Sequence, residues 1–396
     1  MRYAALIAGL LLCLAVLVDA FQTIILPRRP VGRLRITRLF YLVTWAPWAF
    51  VVRRISNSKL REQLYSIYGP GSLLLLLVVW AACLLFGFAL LFFSLGSPFH
   101  DMIAMSTDLG HLRTDLYVSG TTLFTLGLGD VAPRTLAART LIITESATGL
   151  GLVALVIGYV PVLYNSFSHR ELSVALLDGR AGSPPTSAEL LRRHAFEGGQ
   201  QALIELLVEW ERWSAEILET HISYPILCYY RSQHDNQSWL SALTAMLDTC
   251  ALLISVVPGP ATRQAQLTFA ISRHALVDLG HVFQLEKRES EHRSDDRLQK
   301  KDFQQLCDSI AEAGLRLCGD PEAPARLHAL RALYEPHALA LAQYLGMSLP
   351  TWVPEPRAKD QWKLVELVRS KAAASLTKDT VLSPEAIAVR LHSEEH

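Results

Sequence analysis

An apolar run from Ser72 to Leu95 constrains this chain more than any other feature. A helix rises about 1.5 Å per residue, so roughly 20 apolar residues cross the hydrocarbon core of a bilayer. Pro70 and Gly71 precede the run, which predicts that its helix begins near Ser72. The run therefore predicts a transmembrane helix, and any fold for this chain must place it in a membrane.

Two further apolar runs are also long enough to span, from Tyr3 to Leu26 and from Thr140 to Tyr164. The first predicts an N-terminal transmembrane helix over residues 1–26. A cleaved signal peptide is the alternative, because Val18 to Ala20 faintly resembles a cleavage site. The run continues past that site, which favours the helix, and whether residues 1–20 are retained stays open at this point.

Composition indicates a membrane part joined to an aqueous part. Of the 396 residues, 51% are hydrophobic and 19% are charged, a balance between those of soluble and wholly membrane-embedded proteins. The net charge is zero, so nothing indicates a nucleic-acid partner. The six cysteines form no CxxC pair, so neither a zinc site nor a disulfide framework is predicted.

The segment 27–71 is strongly basic, which is typical of the cytoplasmic side of a membrane. Within it, residues 40–52 are apolar but too short to span, and they contain Trp45 and Trp48, a residue type favoured at the level of the headgroups. We therefore predict an interfacial helix over 40–52 that contacts membrane lipids. A short buried helix is the alternative.

The stretch between the second and third runs contains Thr125 followed by two glycines spaced by one residue, Gly127 and Gly129. Glycine tolerates positive φ angles, so this spacing lets carbonyl oxygens stack along an axis and replace the water shell of a cation. Residues 116–124 predict a short re-entrant helix with Asp115 as its N-cap. The partly negative C-terminus of that helix would favour a cation beside it.

The third run contains glycines at 149, 151 and 158, and Pro161 lies near its end. Such residues either kink a helix, which would suit a gate hinge at Gly149, Gly158 or Pro161, or allow close helix packing. The run also contains Glu145, and a carboxylate inside a span is a functional candidate. Its side chain either faces an ion cavity, or lies behind the Thr125–Gly129 stretch and braces it against Thr121, Thr122 or Arg139.

Residues 72–171 resemble the outer helix, pore loop and inner helix of the potassium channel superfamily, in the bacterial form with one pore loop whose pore module is of the two-pore-domain type. The resemblance implies a homotetramer, with K⁺ as the permeant ion and no cofactor. It assigns the ion-binding filter to Thr125, Leu126, Gly127, Leu128 and Gly129. Asp130, which directly follows the filter, and Glu145, if it acts as the brace, are the predicted filter supports. Leu128 stands where the usual pattern has Tyr, and Phe124 where a second Thr is common.

The second half predicts helices almost throughout. We divide it into a linker at 172–187, a cytoplasmic helical domain at 188–346 and a tail with a short helix at 347–396. It contains no GxGxxG motif after a strand, no Walker loop and no EF-hand pattern. The predicted fold class is therefore all-α, combining a pore module, an extra N-terminal span and a helical domain.

These patterns predict a multi-pass protein of the plasma or inner membrane, with its C-terminal domain in the cytoplasm. The predicted function is a potassium-selective cation channel, gated at the inner helix by an unknown cytoplasmic ligand. A weakly selective cation channel is one alternative, and a membrane-anchored signalling or scaffold protein with a vestigial pore loop is another. No GxSxG or HExxH motif indicates an enzyme.

Overall fold

The computed structural model describes residues 1–26, 35–100, 108–232, 237–291 and 296–353. The regular secondary structure of the described residues is helical apart from two two-residue strands, which confirms the all-α class. Its elements are α1 (Arg2–Ala20), a π-helical turn (Phe21–Ile25), α2 (Ile36–Arg53), α3 (Ser58–Ser94), β1 (Phe99–His100), α4 (Asp108–Leu123), β2 (Ala132–Pro133), α5 (Leu136–Ala181), α6 (Ser187–Arg193), α7 (Gly199–Ser223), a 3-10 turn (Pro225–Tyr229), α8 (Trp239–Ser255), α9 (Thr262–Phe283), α10 (Glu286–Glu291), α11 (Lys300–Glu312), α12 (Ala323–Ala332) and α13 (Glu335–Leu345).

Three of the described helices are long and apolar enough to cross a membrane: Arg2–Ile25, Ser58–Ser94 and Leu136–Ala181. They coincide with the three apolar runs in the sequence, and they make this a membrane protein. Helix α2 lies between the first two and contains the predicted interfacial segment 40–52. Its residues Leu42 and Val43 are exposed apolar side chains.

Helices α1 and α3 pack against each other through glycine. A Cβ atom added at Gly9 would lie 2.7 Å from the carbonyl oxygen of Gly87, and one added at Gly87 would lie 2.6 Å from Cys13 Sγ. Both distances are too short for a real side chain, so the two backbones approach more closely than larger residues allow. Small residues at a crossing are typical of helix pairs in membranes, where packing drives association.

Asp19 joins α1 to both of the following helices. Its carboxylate accepts hydrogen bonds from the Thr37 backbone at 2.9 Å and from Trp80 Nε1 at 3.0 Å. Arg35 Nε lies 3.3 Å from its other oxygen. Arg28 and Arg29, the nearest arginines in the sequence, lie outside the described residues. A buried carboxylate with this many donors is compensated, so the acid is a structural junction.

Helix α3 begins at Ser58, well before the start predicted at Ser72, and it passes through Pro70. Asn57 caps it, because its side chain accepts from two backbone amides of the first turn. The added turns bury Tyr65 and Tyr68. Packing of these rings against α2 outweighs the hydrogen bond that a proline removes.

Helix α5 also outruns its prediction. Residues 172–181, for which composition predicted a linker, continue the helix and bury Val174 and Leu177 in the core of the C-terminal half. Gly182, with a φ of 83°, ends the helix. The inner helix is therefore continuous from the outer end of the pore module into the C-terminal body, which we define as residues 187–353.

The C-terminal body is built around α8, nearly all of whose residues are buried. Asp248 lies at its centre and is fully buried. Arg297 donates to both of its oxygens, at 3.2 and 2.9 Å, and the Tyr334 hydroxyl donates to it at 2.5 Å. Because this charge is paired and hydrogen-bonded, α8 can be a core helix although Asp248 is buried at its centre. The predicted tail helix lies outside the described residues.

Candidate ion-conduction site

The helix that precedes the glycine stretch is α4, and it is longer than predicted. It runs from Asp108 to Leu123, so Asp115 lies in its interior and is not its N-cap. Asp115 is buried and accepts a hydrogen bond at 2.7 Å from Ser97 Oγ, just beyond the end of α3. The acid therefore ties the re-entrant helix to the outer helix.

The segment from Thr125 to Gly129 belongs to no helix or strand, and all five of its residues are exposed. Every second residue has a positive φ: Thr125 at 55°, Gly127 at 55° and Gly129 at 77°. The sequence predicted this conformation for the glycines, and Thr125 adopts it at a cost of about 1–3 kcal/mol. A Cβ added at either glycine would meet no atom within 4 Å.

The start of this segment is held by the end of α4. The Leu126 amide donates to the carbonyl oxygen of Thr121 at 2.7 Å, and the Thr125 amide donates to that of Thr122 at 3.0 Å. The side chains of Leu126 and Leu128 are 62% and 63% exposed. In a single chain, the two leucine side chains and the backbone of this segment are thus uncovered. This is costly unless other copies or ions contact the segment and satisfy its backbone polar groups.

Asp130, at the far end of the segment, contacts α4. The Tyr117 hydroxyl donates to Asp130 Oδ2 at 2.7 Å. Beyond it, β2 pairs with β1 in an antiparallel register that sets Phe99 opposite Pro133. The strand is therefore fixed at both ends, through Thr121 and through Tyr117, while its middle stays open.

Glu145 lies behind α4 and is fully buried in a single chain. Its Oε1 lies 2.5 Å from Ser119 Oγ, which is also 2.9 Å from the carbonyl oxygen of Leu85. These contacts join α5, α4 and α3. The partner is thus Ser119 and not Thr121, Thr122 or Arg139, and the brace stays a prediction. The small polar Ser119 in a re-entrant helix was the signal that sequence reasoning missed.

The predicted hinge residues occupy two different environments. A Cβ added at Gly149 would overlap the carbonyl oxygen of Leu123, so this glycine permits close packing of α5 on α4. Gly158 and Pro161 are exposed, and a Cβ at Gly158 would meet no atom within 4 Å. Close packing thus accounts for Gly149, while a hinge stays a prediction at all three positions.

One face of α5 is apolar and uncovered. Its residues are at least 40% exposed although they lie in a span. They are Ile143, Leu150, Val153, Ile157, Val160 and Tyr164. Such a face is available to lipid or to other copies of the chain.

Arg170 connects α5 to the C-terminal body, and sequence reasoning assigned it no role. Its buried guanidinium donates to the carbonyl oxygens of Leu227 at 2.8 Å and Tyr230 at 2.9 Å, and to Glu171 at 2.8 Å. His221 Nε2 lies 3.2 Å from Arg170 Nη1. Burial is the main cause that holds the pKa of His221 well below its usual value, and the positive charge of Arg170 is the next largest.

Comparison with known proteins agrees with this architecture. Residues 78–164 match a family model described as "Ion channel", a span that includes α4, the glycine strand and most of the inner helix. The chain is 29% identical over 251 residues to "Uncharacterized membrane protein YdjJ" of Bacillus subtilis (strain 168), which covers 63% of this chain and 69% of that protein. No solved structure matches. The chain therefore carries an ion-channel pore module of the potassium-channel-like kind.

Proposed function

We propose that the protein is a potassium-selective cation channel in which four copies of the 125–129 strand surround one axis. The filter residues are Thr125, Leu126, Gly127, Leu128 and Gly129, with the carbonyl oxygens and the Thr125 hydroxyl replacing the water shell of K⁺. Asp130 and Glu145 support the filter from behind.

The observation that carries the proposal is the alternation of positive φ at every second residue from Thr125 to Gly129, with open space where a Cβ atom of Gly127 or Gly129 would lie. Alternation between left-handed and right-handed backbone turns successive carbonyls toward one side. An extended segment at membrane depth is tolerated only where it lines a water-filled path or is buried by protein. A tetrameric filter satisfies both conditions.

The exposed apolar face of α5 supports the same assembly. One pore loop per chain supplies a quarter of a carbonyl ring, so a ring needs four chains. Closed rotational symmetry is the usual solution for such assemblies. In the tetramer, part of this face would line the inner cavity and part would contact neighbouring copies.

Gating is proposed at the inner helix. Helix α5 continues without a break to Ala181, and Arg170 joins it to the turn at 225–229. A ligand that moves the C-terminal body would therefore pull on α5 directly. We place the C-terminal body in the cytoplasm, because the basic segment 27–71 marks that side. No catalytic role and no nucleic-acid partner are proposed.

The test is K⁺-driven rubidium uptake into liposomes that contain the purified protein. We expect uptake by the natural protein and its loss in Gly127→Asp. Gly198→Asp is the matched control, since Gly198 also has a positive φ and open space around it but lies in the C-terminal body. Absence of uptake under all conditions, together with a particle that is not a tetramer, would favour the scaffold alternative.

A weakly selective channel is the second candidate, and Leu128 favours it. The leucine side chain is 63% exposed and cannot form the hydrogen bond that a tyrosine would donate behind the filter. The reversal potential in mixed sodium and potassium separates the two candidates. A reversal potential close to the equilibrium potential of K⁺ supports strict selectivity. A reversal potential near zero supports the weakly selective channel.

A further inference from the structure

We propose that residues 362–376 of this chain bind an apolar patch on the part of α5 that follows the membrane span. The patch is formed by Leu172 and Leu176, which are 62% and 63% exposed. It lies beyond the apolar run that ends at Tyr164, and beyond Arg170, which joins α5 to the C-terminal body. The two leucines are therefore outside the predicted span, where water and not lipid would surround them.

A groove beside Leu172 adds depth to the patch. It has a volume of about 220 Å³ and lies between α5 and Gln237. Phe167 and Ala175 contribute apolar walls. Leucines four residues apart on a helix lie one above the other, so the patch and the groove form one strip along α5. A strip of this kind suits the apolar face of an amphipathic helix.

The sequence that follows the C-terminal body supplies such a helix. Residues 354–396 lie outside the described residues. Apolar residues recur in their first half every three or four positions, the spacing that places them on one face of a helix. Lys363, Ser370 and Lys371 fall on the other face. The apolar positions are Trp362, Val365, Val368, Ala372 and Leu376.

This segment leaves the C-terminal body close to the patch. Trp352 is buried, and its carbonyl oxygen accepts from the amide of Ala188 in α6 at 3.3 Å. Arg193 of the same helix donates to the carbonyl oxygen of Gly179, in the last turns of α5, at 2.8 Å. The patch begins within about 10 Å of Gly179 along the helix. Residues 354–361 can span about 26 Å when extended, so the apolar segment reaches the patch.

The size of the patch favours a segment of the same chain over a separate protein. A stable interface between separate proteins buries about 800 Å² on each side, far more than two leucines and a small groove offer. A tethered segment needs less area, because a short tether gives it a high effective concentration. Bound there, the segment would restrain α5 between the pore module and the C-terminal body.

The experiment is photo-crosslinking of the full chain in native membranes. p-Benzoylphenylalanine replaces Leu172 in one sample. In the control it replaces Leu267, an exposed leucine of α9 in the C-terminal body. We expect irradiation to link position 172 to a peptide that contains residues of the segment 362–376, in a product with the mobility of a single chain. Position 267 should give no such product.

Substitutions in the segment test its apolar face. Val365→Asp combined with Val368→Asp places two charges on that face and should abolish the cross-link from position 172. Ser370→Asp is the matched control, because it places a charge on the opposite face and should keep the cross-link.

Three results would overturn the proposal. One is a product with the size of two chains, since a second copy would then occupy the patch. Another is a cross-link from position 172 that contains no peptide of residues 354–396. The third is an undiminished yield in the paired Val365→Asp and Val368→Asp variant. Cross-linking needs no conduction, so the outcome is independent of the channel proposal.

Discussion

Ser119 Oγ lies 2.5 Å from Glu145 Oε1, so a hydroxyl of α4 meets a buried carboxyl group of α5. The contact fixes the position of α4 relative to α5. The position of the 125–129 segment follows from it, because the segment begins where α4 ends.

Glu145→Gln should leave single-channel conductance and rectification unchanged. The amide can donate to Ser119 Oγ while the Ser119 hydroxyl donates to Leu85, so the contacts between helices persist. Glu145→Leu removes the contact and should lower stability by about 1–2 kcal/mol. Single-channel recording and thermal unfolding measure the two effects. A change of conductance in Glu145→Gln would show instead that this side chain faces the ion path.

Gly149→Ala should disturb the pore, because its methyl group would overlap the carbonyl oxygen of Leu123 immediately before the filter. Overpacking of this kind costs about 1–3 kcal/mol. Gly151→Ala is the control, since a Cβ there meets no atom within 4 Å, and alanine improves helix propensity. We expect lower thermal stability and lower rubidium uptake in the first variant only. Equal effects in both would refute the packing argument.

The spans could be predicted from the sequence because a bilayer imposes a length and an apolar composition on any helix that crosses it. The re-entrant helix and its glycine strand followed from their place between two such spans. Boundaries were less predictable. Helix α3 extends through Pro70 because Tyr65 and Tyr68 pack on Trp45, and a local signal for a helix start contains no information about that contact.

Partners of buried polar groups were the least predictable part. Glu145 was identified as a candidate, but its partner Ser119 depends on how two helices cross. Arg170 carries no motif, and its role comes from carbonyl groups of a turn that only the folded chain brings near. A cavity of about 400 Å³ is lined by residues from the membrane helices, such as Leu73 and Tyr159, and from the C-terminal body, such as Phe283, so no single stretch of sequence indicates it.

Arg170→Lys should loosen the joint between the inner helix and the C-terminal body. Lysine keeps the charge but cannot reach both Leu227 and Tyr230, so at least one buried carbonyl loses its donor. The loss should be roughly 1–3 kcal/mol, seen as a lower Tm. Arg326→Lys is the control, because its ion pair with Asp320 is exposed and should not affect Tm. An unchanged Tm in Arg170→Lys would contradict the proposed joint.

The stability that His221 contributes to the protein should fall as the pH is lowered below about 6.5, the ordinary pKa of histidine. His221 Nε2 faces the guanidinium of Arg170, which only donates, so the folded ring is neutral, and burial holds its pKa low. The unfolded chain therefore binds more protons than the folded chain in this range. The contribution is complete above the unfolded pKa and is lost as the pH falls toward the folded pKa.

His221→Gln should lower the slope of the free energy of unfolding against pH by about 1.4 kcal/mol per pH unit, the effect of one proton. It should not abolish the dependence, because burial also lowers the pKa of His194. The measurement is the free energy of unfolding of the purified protein between pH 8 and pH 5. Identical slopes in the natural protein and in His221→Gln would mean that His221 takes up no proton on unfolding. The prediction that its ring is neutral beside Arg170 would then be wrong.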